Sequence, residues 1–338
     1  MTMVKRAGHL KEKLTDPQLI ADAYKIAARR RGHTPGVIAF REDEKGNLEE
    51  IRRMLDEGTY RSSPYRYFER KERGKVRSIA ALPFFPDRVV HWAVTLTTED
   101  IFVKGFIAQT YAAIPGRGTH MALRDLKDAL RHSDAKYCAK FDVRHYFESI
   151  DKDIMMEKIR RRIKDPVVLE LYEEIVHGYP RSGLPIGNLT SQYLANLYLS
   201  DIDHFFKEKY HAKYYFRYMD DIVILGWSSA WLHRVRTVLE RKLAEIGLKL
   251  NRKWQIFPVE DRGVDFVGYR TWPDHVLLRN GTKRRMKAKM ERIMDAEETD
   301  DSMRSCVASY HGILQWCDGW RLHRKYIEPA WSRMEATT

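Results

Sequence analysis

Cysteine is scarce in this sequence. Cys138, Cys306 and Cys317 are the only three in 338 residues, and no two stand at CxxC spacing. That usage excludes a disulfide framework, argues against a thiolate zinc site and fits a reducing, cytoplasmic setting. Long apolar runs are missing as well, and none approaches the roughly 18 residues that a membrane span requires. Residues 1–13 are basic without an apolar core, so they do not read as a secretory signal. Neither internal repeats nor low-complexity linkers occur. What the chain has in excess is positive charge: 60 Lys+Arg against 47 Asp+Glu, a net +13 with pI ≈ 9.5. Such a surplus favours a polyanionic partner, usually nucleic acid; a basic surface with no specific partner is the alternative. A hydrophobic content of 43% and a mean hydropathy of −0.54 describe a soluble globular chain with core enough for two or three subdomains.

Local signals place the elements. Asp16 as cap and Pro17 at the first helical position open a helix to about Arg31. Asn47 caps a second, ending near Glu57, and Thr119 caps another, ending near Arg131. Residues 65–80 alternate basic and apolar and read as a strand pair turning at Arg73-Gly74. Residues 136–142 form a short apolar strand that ends on Asp142, and residues 151–164, 166–177 and 190–210 are helical. Two β-rich runs, Tyr214 to Tyr218 and Ile222 to Leu225, flank Met219-Asp220-Asp221 as a hairpin. Residues 229–246 are helical again, Val264 to Tyr269 is a strand, and about three helices follow, broken near Asp300 and Gly319. Mixed strands and helices with a helical tail make an α+β core bearing an α-helical appendage.

The carboxylates carry the chemistry. Joining a 3′-hydroxyl to an α-phosphate requires a nucleophilic oxygen and a neutralised pentavalent centre, and two Mg²⁺ ions supply both. Mg²⁺ takes hard oxygen ligands, so aspartates must converge on one point. A strand ending on Asp142 beside a hairpin turning at Asp220-Asp221 would bring three together. An isolated Asp-Asp at a turn would be an ordinary solvated turn.

Phe216-Arg-Tyr-Met-Asp-Asp-Ile-Val-Ile-Leu-Gly226 resembles the palm hairpin of reverse transcriptases. The resemblance extends in order through Lys75-Val-Arg77-Ser-Ile79 with Pro83 and Asp87-Arg88, Pro115-Gly-Arg-Gly-Thr-His120, and Lys140-Phe-Asp142 to Asp151. It continues through Gly183-Leu-Pro-Ile-Gly187 to Asn196, Gly247 to Lys253, and Val264-Asp-Phe-Val-Gly268-Tyr269. Seven ordered blocks over residues 75–269 make a specific match. It implies a right-hand polymerase: an N-terminal helical extension (1–64), fingers (65–135), a palm (136–272) with a fingers insertion at about 152–190, and a short helical thumb (273–338). The match implies RNA-directed DNA polymerase activity with catalytic Asp142, Asp220 and Asp221. The metal site would be Asp142, Val143, Asp220 and Asp221, holding two Mg²⁺ with Mn²⁺ as substitute.

The remaining roles divide between two substrates. Lys75, Arg77, Phe147, Ile186, Gln192 and Lys253 match nucleotide-contacting positions. Cations on one strand face suit a triphosphate. Phe147 matches an aromatic gate against the 2′-hydroxyl, with Tyr146 its neighbouring competitor and an ordinary core ring the alternative. Gln192 and Asn196 stand four apart and either contact nucleotide or template or tie loops down. Tyr218, Met219, Gly268 and Tyr269 match primer and template positions, and Lys283, Arg284 and Arg285 form a basic face for the duplex. Tyr310, Trp316, Trp320 and Trp331 of the tail either pack a three-helix core, which is the expectation, or stack on bases.

One departure narrows the family. Intron and retroviral enzymes carry Gln after the proline of the fourth block, whereas this chain has Leu184-Pro185-Ile186-Gly187 and then Ser191-Gln192, similar to reverse transcriptases of bacterial and phage diversity-generating retroelements. That resemblance implies copying of a template-repeat RNA into cDNA that is mutated at adenines. The partners implied are template RNA, the RNA–DNA duplex, deoxynucleotides and a small basic oligomeric accessory protein, with no membrane. Another bacterial reverse transcriptase, intron-like or defence-associated, or a non-catalytic RNA-binding relative are the alternatives.

Overall fold

The computed structural model describes residues 6–72 and 75–336. In chain order the elements begin with helices α1 (Lys11–Leu14), α2 (Pro17–Ala28), α3 (Pro35–Glu42) and α4 (Glu44–Asp56), then strands β1 (Arg66–Glu72) and β2 (Lys75–Ala81). Helices α5 (Val89–Val103) and α6 (Thr119–Leu130) lead to β3 (Tyr137–Asp142). Next come α7 (Tyr146–Ser149), α8 (Lys152–Arg160), α9 (Pro166–His177) and α10 (Leu189–His204), then β4 (Tyr214–Tyr218) and β5 (Asp221–Gly226). After α11 (Ser229–Ala244) come β6 (Gln255–Pro258), α12 (Val259–Arg262), β7 (Val264–Phe266), β8 (Tyr269–Thr271) and β9 (Val276–Leu278). The tail holds α13 (Asn280–Asp295), α14 (Asp301–Leu314), α15 (Trp320–Leu322) and α16 (Glu328–Ala336). Among the described residues, no helix is long and apolar enough to cross a membrane.

The chain divides into two compact units. The first comprises the residues up to Ile114, Val143–His211 and Val238–Asn251. It is mostly helical, with α2 and α10 packed on α5. Nine residues of α5, among them Val89, Val94 and Phe102, are buried, which leaves the helix without a polar stripe. Among the described residues its sheet is the β1–β2 ribbon, paired from Arg66↔Ala81 to Glu72↔Lys75. The expected strand pair is therefore present, while its turn, Arg73-Gly74, and the Lys75 side chain lie outside the described residues.

The second unit comprises Pro115–Asp142, Ala212–Thr237 and the chain from Arg252 onward. A four-stranded antiparallel sheet, ordered β4-β5-β3-β6, is its centre, and a three-stranded sheet β7-β8-β9 and the tail helices complete it. The tail closes over Met286, Met290, Ile293, Val307, Leu314 and Met334.

Four local expectations need correction. Asp43, not Asn47, caps α4, accepting from the Gly46 amide at 3.1 Å, and Asn47 instead donates to the Phe40 carbonyl. Thr119 is the first residue of α6, and Gly118 holds the cap position. The run Val264 to Tyr269 is a hairpin: β7 and β8 join through Val267 (φ 44°) and Gly268 (φ 98°), two left-handed residues of the kind that matches strand twist. The tail tryptophans are not core. Trp316, Trp320 and Trp331 are 43%, 67% and 38% exposed, because methionine and aliphatic side chains already fill the interior. Trp316 stacks instead on His120 at 4.1 Å, and Arg324 lies over Trp320.

Candidate active site

Strand register brings two of the three carboxylates together. Asp142 ends β3 directly opposite Asp221, and Asp221 is opposite Tyr218 on its other side. Directly opposed residues share a face, so Asp142, Asp221 and Tyr218 form one row across three strands. Asp220 occupies the two-residue connection between β4 and β5 with Met219, whose φ of 58° closes the turn. Behind it, the fully buried Arg217 donates from Nη1 to the Met219 carbonyl at 3.0 Å. Apolar residues bury β4 and β5 up to their tips, so the aspartates mark where polar groups emerge at the sheet edge.

The charges around Asp221 are arranged unequally. Its Oδ2 lies 3.4 Å from the Lys140 ammonium, while its Oδ1 is buried without a hydrogen-bond partner. Burial holds the Asp221 carboxyl above the usual carboxylate range; Lys140 and Arg279 pull it back down, and Asp142 adds to the rise. A buried, unpartnered carboxylate oxygen beside a second aspartate fits a hard divalent cation. Among the described residues, no three His, Cys, Asp or Glu side chains are gathered closely enough to form a finished metal cage. The fit therefore rests on the donor chemistry of Asp142, Asp220 and Asp221. Val143 is buried and its backbone bridges to Leu250.

Other expected positions fall as follows. Arg77 is exposed on β2, directly opposite Arg70. Tyr146 is buried and donates its hydroxyl to the Ala195 carbonyl, whereas the Phe147 ring is half-buried. Ile186 is half-buried, and its carbonyl accepts from the Ala80 amide of β2 at 3.0 Å. Gln192 is exposed, but Asn196 is fully buried and donates to the Ala112 carbonyl at 2.7 Å, so the pair divides and Asn196 secures a loop. Lys253 is exposed between α11 and β6. Gly268 forms the β7–β8 turn, and the buried Tyr269 donates to the Ile313 carbonyl at 3.0 Å, its phenol pushed up to about 12 by burial. Arg284 and Arg285 are exposed on α13, with Lys283 half-buried beside them. Sequence reasoning does not single out Lys140, Arg217 or Arg279 for this site. The one signal for Lys140 is its place two residues before Asp142, on the same strand face.

The fold is that of a right-hand polymerase. The apo telomerase of Candida tropicalis superposes with a TM-score of 0.52 at 12% identity, covering 69% of this chain and 52% of that one. Telomerase of Candida albicans, in complex with a TWJ fragment of telomeric RNA, superposes with a TM-score of 0.52 over 88% of this chain and 60% of its own. Residues 69–271 match the family model described as reverse transcriptase (RNA-dependent DNA polymerase). The chain belongs to that family and is an RNA-directed DNA polymerase, and enzymes of this family use divalent metal ions. Among curated relatives, Protein YkfC of Escherichia coli is 26% identical over 78% of this chain and 83% of its own length. The group II intron-encoded protein LtrA of Lactococcus lactis is 28% identical over 57% of this chain but only 34% of its own. Retron Ec73 reverse transcriptase of Escherichia coli is 25% identical over 60% of this chain and 70% of its own.

Proposed function

We propose that this enzyme copies a template-repeat RNA into cDNA that is mutated at adenines, as the polymerase of a diversity-generating retroelement. The observation that carries the reading is Ile186 where accurate family members place glutamine. A glutamine amide offers two donors and an acceptor near the nascent pair, and isoleucine offers neither. Sites that must hydrogen-bond their substrate reject imperfect ones far better than apolar sites do.

In this reading Asp142, Asp220 and Asp221, with the Val143 carbonyl, hold two Mg²⁺. Bound there, the ions would activate the 3′-hydroxyl and neutralise the reacting phosphate. Arg77 and Lys75 receive the triphosphate, Phe147 screens the sugar, and Gln192 and Lys253 contact the nucleotide. Tyr218, Met219, Gly268 and Tyr269 align primer and template, and the basic face of α13 grips the duplex. Residues 65–135 act as fingers, 136–272 as palm and 273–338 as thumb, behind an N-terminal extension. Template RNA and a small basic oligomeric accessory protein are the macromolecular partners, in the cytoplasm.

The test is an Ile186→Gln variant in a sequencing-based fidelity assay on a template with all four bases. Errors opposite adenine should fall relative to the other three while extension persists. A wild-type enzyme that copies adenine faithfully with its accessory protein present would move the reading to an intron- or defence-type enzyme, which the likeness to LtrA and the retron Ec73 enzyme favours.

A further inference from the structure

Lys140 points along β3 on the same face as Asp142, two residues earlier, and reaches diagonally to β5. Its ammonium has two partners: Asp221 Oδ2 at 3.4 Å, and the Asp265 carbonyl, to which it donates at 2.5 Å. Asp265 lies on β7, and its carboxylate is ion-paired with Arg279. Arg279 stands at the start of α13, and its backbone amide donates to the Gly268 carbonyl at 3.1 Å. One uninterrupted chain of polar contacts thus runs from Asp221 through Lys140, Asp265 and Arg279 to the β7–β8 turn, all within the second unit.

We propose that Lys140 is a positioning residue that occupies one oxygen of Asp221, leaves the other for the metal, and couples that carboxylate to the β7–β8 turn. The inference rests on the reading above that Asp221 is a metal ligand. A carboxylate with both oxygens unengaged rotates about its Cβ–Cγ bond and can bind a cation through either oxygen or both. With Oδ2 held by an ammonium that is itself anchored to a backbone carbonyl, the orientation is set, and only Oδ1 remains. Oδ1 is the oxygen that is buried with no hydrogen-bond partner, a costly state that a cation relieves. Partners that orient a metal ligand in this way commonly alter metal affinity by about 10- to 100-fold when removed. Lysine suits the task because its compact charge reaches both acceptors from a flexible stem. The β7–β8 turn matches the primer-contacting block, so the same contacts tie the metal ligand to the segment that would carry the primer end.

The experiment titrates metal-free protein with Mn²⁺ and reads free Mn²⁺ by electron paramagnetic resonance, for wild type, Asp221→Asn, Lys140→Met, Lys140→Arg, Arg279→Gln and the Lys140→Met/Arg279→Gln double variant. Melting temperature and RNA–DNA duplex binding check that each variant is folded. Lys140→Met should weaken Mn²⁺ binding about tenfold or more, and Lys140→Arg should recover part of the loss. Arg279→Gln should weaken it less, and its effect should not add to that of Lys140→Met, because both act through one chain of contacts. If Asp221→Asn loses Mn²⁺ while Lys140→Met binds within twofold of wild type, the positioning role is wrong and the metal assignment stands. Should Lys140→Met fail to fold, wild-type affinity in Arg279→Gln together with no change in Lys140→Arg overturns the coupling. Asp221→Asn binding as tightly as wild type overturns the metal assignment and this inference with it.

Discussion

The backbone amide of Leu184 donates to the carbonyl of Phe147 at 2.8 Å. The ring proposed to screen the sugar is thereby tied to the loop that carries Ile186, two residues beyond Leu184. Gly183 makes the approach possible: its φ is +73°, and a Cβ there would stand 2.1 Å from the Phe147 carbonyl oxygen. Removing the ring while keeping this backbone contact isolates its role. Phe147→Ala should raise ribonucleotide incorporation at least tenfold relative to deoxynucleotide, measured with each nucleotide on one primed template. Tyr146→Ala should not, since that ring is buried and its hydroxyl is committed to the Ala195 carbonyl; the opposite pattern would move the gate to Tyr146.

Asp142→Asn and Asp220→Asn should each reduce primer extension by several orders of magnitude while leaving the melting temperature within a few degrees of wild type. An amide keeps the shape of the carboxylate but loses the charge that a hard cation needs. Near-wild-type extension by either variant would remove that residue from the site.

Duplex binding should weaken steeply as salt rises, because the basic face of α13 displaces counterions from phosphates. Replacing Arg284 and Arg285 by Glu should lower the slope of log K against log salt by about 2, about one for each phosphate no longer neutralised. A slope unchanged by the double variant would place the grip elsewhere.

His91 predicts an acid-labile fold. The ring is buried, one nitrogen pairs with the Thr190 hydroxyl at 2.9 Å, and the other has no partner. Burial pushes its pKa down to about 4 from 6.5, against the pull of Asp87. Above pH 6.5 the residue is neutral in both folded and unfolded chains and contributes no pH dependence. As pH falls from 6.5 toward 4 the unfolded chain takes up the proton first, so stability drops, by roughly 2 kcal/mol at pH 5. Urea unfolding at pH 7 and pH 5 should show this loss in the wild type and a smaller one in His91→Gln. An equal loss in both would assign the acid sensitivity to other groups.

Much of the palm is legible in the sequence because its signals are local. The apolar strand ending on Asp142 and the two β-rich runs around Met219-Asp220 need only short apolar runs and a turn, and both are observed as β3 and the β4–β5 hairpin. The cap at Asp16 is equally local. What escapes depends on distant neighbours. Helix α5 carries no 3.6-residue polar stripe because it is covered on nearly every side. Strand β6 becomes a strand by pairing with β3, more than a hundred residues earlier in the chain. The tail tryptophans are expected inside because large apolar rings usually are, but Met286, Met290 and Met334 take the space. Lys140 reaches Asp221 through strand register, Arg217 braces the turn through the Met219 carbonyl, and Arg279 arrives from the start of α13, placements that composition and spacing do not express.

The connection between β4 and β5 leaves no slack: Tyr218 and Asp221 are paired residues with only Met219 and Asp220 between them. Side chains alternate faces along a strand, so one residue inserted after Asp221 would turn Val223 and Leu225 to the opposite side and break the register with β3. In this hairpin, length is therefore constrained more tightly than composition. An insertion scan across Tyr214–Gly226 should abolish activity at every position, including positions where substitutions are tolerated, whereas residues 296–299, between α13 and α14, should accept extra residues. Over evolutionary time such a segment is free to exchange its apolar residues for one another but not to change its length.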